Sequence, residues 1–212
     1  ACALAEAEIL ISRSRDPLSL LVHADLLGVQ GRIDEAIAAY EQLIRTELES
    51  KNDMDTISLV IGKYRRFLIA QLPAPAATKR FLSIVSGDLN VASLLETGRL
   101  YEDLANDTEA RAWYYRAYRT DYLAGGLAYA RFLSEHGEDR ESEKVMLYIL
   151  SNVKKGEDLV HVASVILDEL GGMFRMKRLL EQLVKRLGGQ RTTLDSRGLE
   201  LLAMAFFITA SN

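Results

Sequence analysis

The sequence predicts an all-α protein, and three observations support that prediction. Only three prolines occur in 212 residues, at Pro17, Pro73 and Pro75, whereas the helix formers Leu, Ala, Glu and Arg are abundant. Apolar residues recur at intervals of three and four, as on one face of a helix. These periodic segments are short, about 13 to 18 residues, and Gly, Asn, Asp or Pro separates them, as at helix ends.

The pattern predicts twelve helices in chain order. They lie near residues 3–14, 17–30, 33–48, 54–71, 75–86, 90–104, 107–120, 122–135, 138–153, 157–170, 173–187 and 193–210. Most of the turns between them are a few residues long, and Leu72-Pro-Ala-Pro75 predicts a longer one.

Composition excludes several classes of protein. Hydrophobic residues make up 49% and charged residues 26%, which is typical of a folded soluble chain and not of a disordered one. No apolar stretch reaches the roughly 18 residues of a membrane helix, so we expect no membrane span. Cys2 is the single cysteine, which excludes an internal disulfide and fits a cytoplasmic location. The start at Ala1, without Met or a signal peptide, predicts an excised fragment or a processed product.

Small residues recur along the chain at a nearly constant interval, which favours a helical repeat over a bundle. The first series is Ala24, Gly62, Gly98, Ala130, Ser164 and Gly198, with spacings of 38, 36, 32, 34 and 34. The intervening helices carry a second series, Ala36, Ala77, Ala110 and Ser142. Bulky residues follow each of these after four positions (Tyr40, Phe81, Tyr114, Met146), and Leu43, Ile84, Ala117 and Ile149 follow three later. Antiparallel helices approach closely only where a small residue admits a side chain of the partner, so the small sites are predicted holes.

The turns inside the predicted helix pairs repeat as well. Gly31, Gly137 and Gly171 each stand seven residues after a small site, where glycine suits a left-handed helix cap. Ala105 occupies the same place in one repeat.

With these residues the chain resembles the tetratricopeptide repeat (TPR) family. The similarity is clearest in Gly31-Arg-Ile-Asp-Glu-Ala-Ile-Ala-Ala-Tyr40, and in Gly98-Arg-Leu-Tyr101 with Ala110-Arg-Ala-Trp-Tyr114 and Ala117. It departs from the family pattern at Met176, which is large, and at Arg65, which replaces an apolar residue.

The resemblance implies a single right-handed α-solenoid over residues 1–212, with about five antiparallel helix-turn-helix repeats. The repeats are expected near 17–50, 53–88, 90–121, 122–155 and 157–190, with half-repeats at 1–16 and 191–212. It also implies a non-catalytic scaffold that binds a protein partner, as a peptide or a helix, in its concave groove.

Motifs that would point to chemistry are missing from the sequence. His23, His136 and His161 lie far apart, and none pairs at i, i+4 with another metal ligand in a recognisable site pattern, so we expect no metal. No Gly-x-Gly-x-x-Gly or P-loop occurs, and the glycine pairs at 125, 171 and 188 are interpreted as helix ends. We therefore expect no cofactor and no enzymatic activity.

If the array coils as TPR proteins do, the residues just after the small residues of the first series project into the groove. That places Lys63, Arg99 and Arg131 in a row, with Arg66 one turn further on, as a cationic ladder for acidic side chains or a C-terminal carboxylate. Against this, Asp103 and Glu135 stand four residues after the two ladder arginines 99 and 131 and can neutralise them.

Two further observations concern the choice of partner. The subfamily of TPR proteins that grips chaperone tails uses a Lys and an Asn where this chain has Leu21 and Asp25, so that partner is disfavoured. Seven of the nine tyrosines lie between Tyr101 and Tyr148. Tyr101 and Tyr114 fall on inward positions. Packing between repeats is the favoured interpretation of Trp113, Tyr115 and Tyr118, with ligand contact as the alternative.

Charge is unevenly distributed along the chain. Residues 34–55 carry a net charge of −5 and residues 173–197 one of +5. The second segment holds two acids, Glu181 and Asp195, and seven bases, Arg175, Lys177, Arg178, Lys185, Arg186, Arg191 and Arg197. The alternative function is therefore a sensor or regulatory arm of a nucleic-acid-associated factor that uses this basic face. Phe174 is the one aromatic residue there, and the whole chain carries −4, so nucleic acid is not the expected partner. Head-to-tail self-association is a further alternative.

Overall fold

Every regular element in the described part of the chain is helical, which confirms the all-α prediction. The computed structural model describes residues 16–50, 54–86, 90–169, 177–192 and 194–211. The helices are α1 (Pro17–Val29), α2 (Ile33–Ser50), α3 (Met54–Gln71), α4 (Ala74–Val85), α5 (Val91–Asp103), α6 (Asp107–Thr120), α7 (Ala124–Glu135), α8 (Asp139–Asn152), α9 (Gly156–Ser164), α10 (Lys177–Gly189) and α11 (Ser196–Ser211). A π-helical segment, Val165–Glu169, continues α9. None of these described helices is both long and apolar enough to cross a membrane.

These bounds agree with the predicted segments to within a few residues, apart from the π-helical segment. The sequence predicts one continuous helix over 157–170, whereas the α-helical hydrogen bonding changes at Val165. The predicted helix at 3–14, and positions 173–176 of another, lie outside the described residues, as do Gly171 and Met176.

The chain divides into two compact units, residues 1–110 and 111–212. In unit 1, α2 packs against α1, α3 and α4, and α3 also packs against α5. In unit 2, α8 packs against α7, α9 and α10, and α11 packs against α9 and α10. Each unit thus contains helices that contact both the next helix and the next but one, which is the packing of stacked helix pairs.

The core of unit 1 is built from the apolar faces of α2, α3 and α4. Its largest fully buried side chains include Tyr40, Ile44, Tyr64, Leu68 and Phe81. Tyr64 packs between two other aromatic rings, with centroids 5.8 Å from Tyr40 and 6.2 Å from Phe81. The aromatic residue that follows each second-series alanine therefore enters the core, as predicted.

The small residues are buried at the positions that the periodicity predicts. Buried members of the two series are Ala24, Gly62, Gly98, Ala130 and Gly198, and Ala36, Ala77, Ala110 and Ser142. Ser164 is half-buried, and Ile84 is half-buried because the neighbouring Val85 takes the core position. At one site the close approach is direct, since the Ser142 hydroxyl donates a 2.7 Å hydrogen bond to the Ala130 carbonyl.

Gly125 and Gly126 stand at a helix end, as interpreted, but helix termination does not explain them. Gly125 and Gly126 lie in the first turn of α7 and are buried against α6. A Cβ on Gly125 would lie 2.2 Å from the carbonyl carbon and oxygen of Ala117, and one on Gly126 would lie 2.9 Å from a methyl group of Ile149. Glycine is needed at position 125 because the backbone of α6 occupies the space of a side chain, whereas at position 126 the neighbouring side chains of Ile149 and Tyr118 occupy it.

Three turns share one helix-ending geometry, as the glycine spacing predicts. Gly31 and Gly137 have a φ of 76°, and Ala105 has a φ of 54° in the equivalent place. In each turn this residue donates to the carbonyl three residues back, and the next residue donates to the carbonyl five residues back. This is the Schellman arrangement, which satisfies the free carbonyls of a helix end.

The turn at residues 72–75 is not longer than the others, contrary to the prediction. α3 continues to Gln71 and α4 begins at Ala74, which leaves only Leu72 and Pro73 between them. Pro75 lies inside the first turn of α4, where proline costs no hydrogen bond because the first amides of a helix have no internal acceptor.

The left-handed turns give a first prediction. We expect Ala105→Gly to raise the free energy of unfolding by about 0.5 to 1 kcal/mol, because glycine removes the steric cost of a positive φ. Gly31→Ala should lower it by about 1 kcal/mol, since a Cβ there meets no atom within 4 Å and only the backbone is strained. Urea denaturation of both variants measures this. Opposite signs are required, and a shared sign would contradict the assignment.

A second prediction compares two helical glycines. Gly125→Ala should cost about 3 kcal/mol or more, because the obstructing atoms are backbone and cannot rotate away. Gly188→Ala is the matched control, since its Cβ would meet nothing within 4 Å, and a gain in helix propensity of up to about 1 kcal/mol is expected. Thermal unfolding followed by circular dichroism distinguishes the two, and similar melting temperatures would refute the close approach.

Candidate partner-binding site

Helices α3 and α5 of unit 1 enclose a small cavity that is lined by two of the four predicted ladder residues. Its volume is about 320 Å3. The lining residues are Asp55, Ser58, Leu59, Gly62, Arg65, Arg66, Glu96 and Arg99. Arg66 and Arg99 therefore share one site, whereas Lys63 does not line it.

Lys63 has a partner that sequence reasoning missed. Its ammonium group lies 2.5 Å from the Asp25 carboxylate on α1, and the Tyr40 hydroxyl donates to the same carboxylate. Burial, and then the hydrogen bond to Asp25, raise the pKa of Tyr40 far above its usual range, so Tyr40 stays protonated and remains a donor. Lys63 is neutralised by a neighbouring helix, which spacing within α3 could not reveal.

Arg65 departs from the family pattern because it belongs to a buried ion cluster. Its guanidinium donates to Glu96 at 3.0 Å and also to Asp103, both on α5. Arg99 donates to the other oxygen of Glu96. Arg65 is 6% exposed and Glu96 is 1% exposed, so this pair is held in a medium of low dielectric.

Glu96 occupies the hole that Gly62 creates. A Cβ on Gly62 would lie 3.0 Å from a carboxylate oxygen of Glu96. The sequence predicts that a side chain of the partner helix enters this hole, and the structure places a charged one there, with Arg65 supplying the opposite charge beside it. Glu96 lines the cavity, and sequence reasoning did not single it out. The sequence does carry a signal for this ion pair. Glu96 is a charged residue on the buried face of α5, and Arg65 is a charged residue at a position where the repeat pattern has an apolar one.

The expected partner of Arg99 is also different from the one in the structure. Spacing suggests Asp103 at four residues, but Asp103 binds Arg65, and Arg99 instead binds Glu96 at three residues. Arg66 is exposed, and within the described residues no carboxylate lies within 4 Å of it. A cation without a fixed counter-ion beside a half-exposed arginine is an arrangement that can accept a carboxylate.

Arg131, the fourth ladder residue, lies on α7 in unit 2. It is half-buried and already interacts with another group. It is therefore described separately from the cavity of unit 1.

The basic face at 173–197 is partly used inside unit 2. Arg186 donates to the Val153 carbonyl, and Arg197 forms a 2.8 Å ion pair with Glu200. Arg178, Lys185 and Arg191 are exposed. Arg175 and the side chain of Lys177 lie outside the described residues.

Unit 2 also holds a larger cavity, of about 980 Å3, between α9 and the loop that follows α10. Its lining includes Glu157, His161, Ser164 and Asp195. Asp195 accepts a 2.8 Å hydrogen bond from the backbone of Gly198 and so begins α11. None of the four predicted ladder residues lines this cavity.

No protein-family model and no curated protein matches the chain. Among solved structures, the chain is similar to one from Podosopora anserina, described as a kinesin light chain with nearly identical TPR-like repeats. The two are 16% identical, the match covers 93% of this chain and 98% of the other, and the TM-score is 0.43.

The buried ion cluster gives a third prediction. Glu96→Ala should lower the free energy of unfolding by about 3 to 5 kcal/mol, because it leaves the buried Arg65 without half of its counter-charge. Glu35→Ala is the control. Its carboxylate is 59% exposed and pairs with Arg32 on the surface, so a much smaller loss of stability is expected, because water screens an exposed ion pair. Urea denaturation checks both, and a cost for Glu96→Ala as small as that of the control would contradict the cluster.

Proposed function

We propose that this chain is a non-catalytic scaffold that binds an acidic peptide segment of a partner protein. The observation that carries the proposal is that Arg66 and Arg99 both line the α3–α5 cavity. Arg66 has no counter-ion among the described residues, and Arg99 is 41% exposed although it is anchored to Glu96. A guanidinium group offers five donors, so Arg99 keeps free donors beyond those used by Glu96.

The buried cluster supports the proposal because it fixes the position of one binding group. Glu96 is held by Arg65, and Arg99 is in turn held by Glu96. An arginine already restrained loses less conformational entropy when it binds a ligand. The carboxylate of a bound peptide would accept hydrogen bonds from Arg99, whose position is already fixed. Arg66 on α3 would bind the same carboxylate.

The other two ladder residues belong to the proposal in different ways. Lys63 would contribute to the positive potential beside the cavity, although Asp25 holds its ammonium group. Arg131 would contribute within unit 2, on its own surface. We also propose that the chain as a whole forms a single array of about five repeats with half-repeats at both ends, because the same helix contacts occur in both units.

A fourth prediction tests the cavity with a fluorescein-labelled oligoglutamate peptide that has a free C terminus. Arg66→Ala and Arg99→Ala should each raise the dissociation constant about tenfold, since a charge-assisted hydrogen bond is worth about 1.5 to 3 kcal/mol. Lys79→Ala on α4, which also removes an exposed cation, is the matched control and should leave the affinity unchanged. Fluorescence anisotropy measures all three.

Binding should also weaken as salt rises, because the ion pairs form at a partly exposed site. Equal losses of peptide affinity in Arg66→Ala and Lys79→Ala would show that only the overall charge attracts the peptide, and this would refute the cavity as the binding site. Tighter binding of an oligothymidine than of the peptide, lost on Arg178→Glu, would favour the nucleic-acid alternative.

A further inference from the structure

Helix α11 carries a row of exposed uncharged residues beside its buried face. This row, the α11 stripe, consists of Leu199, Ala203, Phe206 and Ala210. The buried face of α11 packs against α9 and α10, whereas Leu199 is 43% exposed and Phe206 is 54% exposed. Phe207, next to the stripe, is 75% exposed. Unit 2 therefore leaves a large apolar surface of α11 in water, where its exposure is unfavourable.

The stripe borders an open groove of about 610 Å3 between the end of α10 and α11. Gly188 lines the groove from α10, and Leu199, Ala203 and Phe206 line it from α11. A Cβ on Gly188 would meet no atom within 4 Å, so the groove is open on that side. The stripe residues follow one another after four, three and four positions, which is the spacing of a seam between two helices packed side by side. The occupant that this groove fits is therefore a helix.

Side-chain sizes along the stripe make it complementary to itself. Leu199 and Ala203 stand as far before its midpoint, between residues 204 and 205, as Ala210 and Phe206 stand after it. When two such helices lie antiparallel about this midpoint, Leu199 faces Ala210 of the other copy and Ala203 faces Phe206. A large side chain then meets a small one at every level, which is how facing helices interdigitate.

Charge at the stripe also suits a second copy. All four stripe residues are uncharged, and Glu200 beside them is engaged in a 2.8 Å ion pair with Arg197 of the same helix. Arg191 lines the groove but is exposed, so its guanidinium can stay in water while its stem packs. A partner helix with charges along its contact face would find no row of opposite charges here. A second stripe brings a neutral surface to a neutral surface.

The exposed area indicates what kind of dimer this surface can form. With about 200 Å2 for a whole phenylalanine side chain, the exposed parts of Phe206 and Phe207 come to roughly 250 Å2 in each copy. Leu199 and the two alanines add to this, but one helix face stays below the roughly 800 Å2 per partner of a standard stable interface. The expected dimer is therefore reversible, with a dissociation constant in the micromolar range.

We propose that α11 binds the α11 of a second copy of this chain, with the two helices antiparallel and their stripes facing each other. The pairing is isologous, because each copy uses the same surface, and assembly therefore stops at the dimer. It differs from head-to-tail contact between the oppositely charged segments, which would continue from copy to copy and weaken as salt rises. The spacing, the sizes and the neutrality of the stripe are all matched by the stripe itself.

Sedimentation equilibrium of the 212-residue chain over a range of concentrations tests the proposal. We expect a monomer–dimer equilibrium. Phe206→Glu should raise its dissociation constant about tenfold or more, because dimerisation would then bury carboxylates in an apolar seam. Leu18→Glu is the matched control, since Leu18 is 53% exposed on α1, and it should leave dimerisation unchanged. Circular dichroism confirms that each variant is folded.

An exchange of side-chain sizes tests the antiparallel register. Phe206→Ala should weaken the dimer about tenfold, because it leaves a gap opposite Ala203. Ala203→Phe should weaken it as well, because two large rings then face each other. The variant with both substitutions again sets a large residue opposite a small one and should recover most of the affinity. A surface that associates without this register would instead bind more tightly after Ala203→Phe, which adds apolar area.

Raising sodium chloride from about 50 mM to about 500 mM should not weaken the dimer, because its seam carries no charge. Three results would overturn the proposal. They are a monomer even at about 0.5 mM chain, an unchanged dimer in folded Phe206→Glu, and no recovery of affinity in the variant with both size changes. Growth beyond the dimer that salt or Leu18→Glu abolishes would also overturn it and would assign self-association to head-to-tail contact.

Discussion

The architecture depends on how closely neighbouring helix backbones approach one another. At Gly125 the space of a side chain is filled by the carbonyl group of the preceding helix, and at Ser142 a hydroxyl reaches the backbone of the facing helix. Such contacts require a small residue at one fixed point of each helix. The interval between these points then sets the length of the repeating unit, and the large residues one turn away are directed into the core.

Much of the fold follows from the sequence for this reason. The volume of side chains alternates with a period that identifies helix pairs, and positive φ at Gly31, Ala105 and Gly137 follows from their equivalent places. The sequence alone does not show which neighbouring helix approaches closely at a given small residue. A glycine pair such as the one at Gly125 has the same composition whether it terminates a helix or admits a neighbouring backbone, so the sequence alone does not distinguish the two. The turn before α4 was misjudged because two prolines suggest a loop, although one of them fits the first turn of a helix.

The candidate site was less predictable, because ion pairs depend on which helices become neighbours. The spacing of residues within one helix correctly pointed to neutralisation of Arg99, but the partner was Glu96 and not Asp103. Lys63 is held by α1, 38 residues away in sequence. Arg65 was visible as an exception to the apolar pattern, and its explanation needed the contact between α3 and α5. Local periodicity therefore locates the helices, whereas the charges between helices have to be read from the structure.

The four residues at the centre of unit 1 also constrain how this protein can change over evolutionary time. Gly62 makes room for Glu96, Glu96 requires Arg65, and Arg65 extends to Asp103. A substitution at Gly62, Arg65 or Glu96 alone strands a charge in the interior or closes the space it occupies. Divergence at these positions is expected to be concerted, so that descendants keep the set complete or exchange it for apolar residues in a few linked steps.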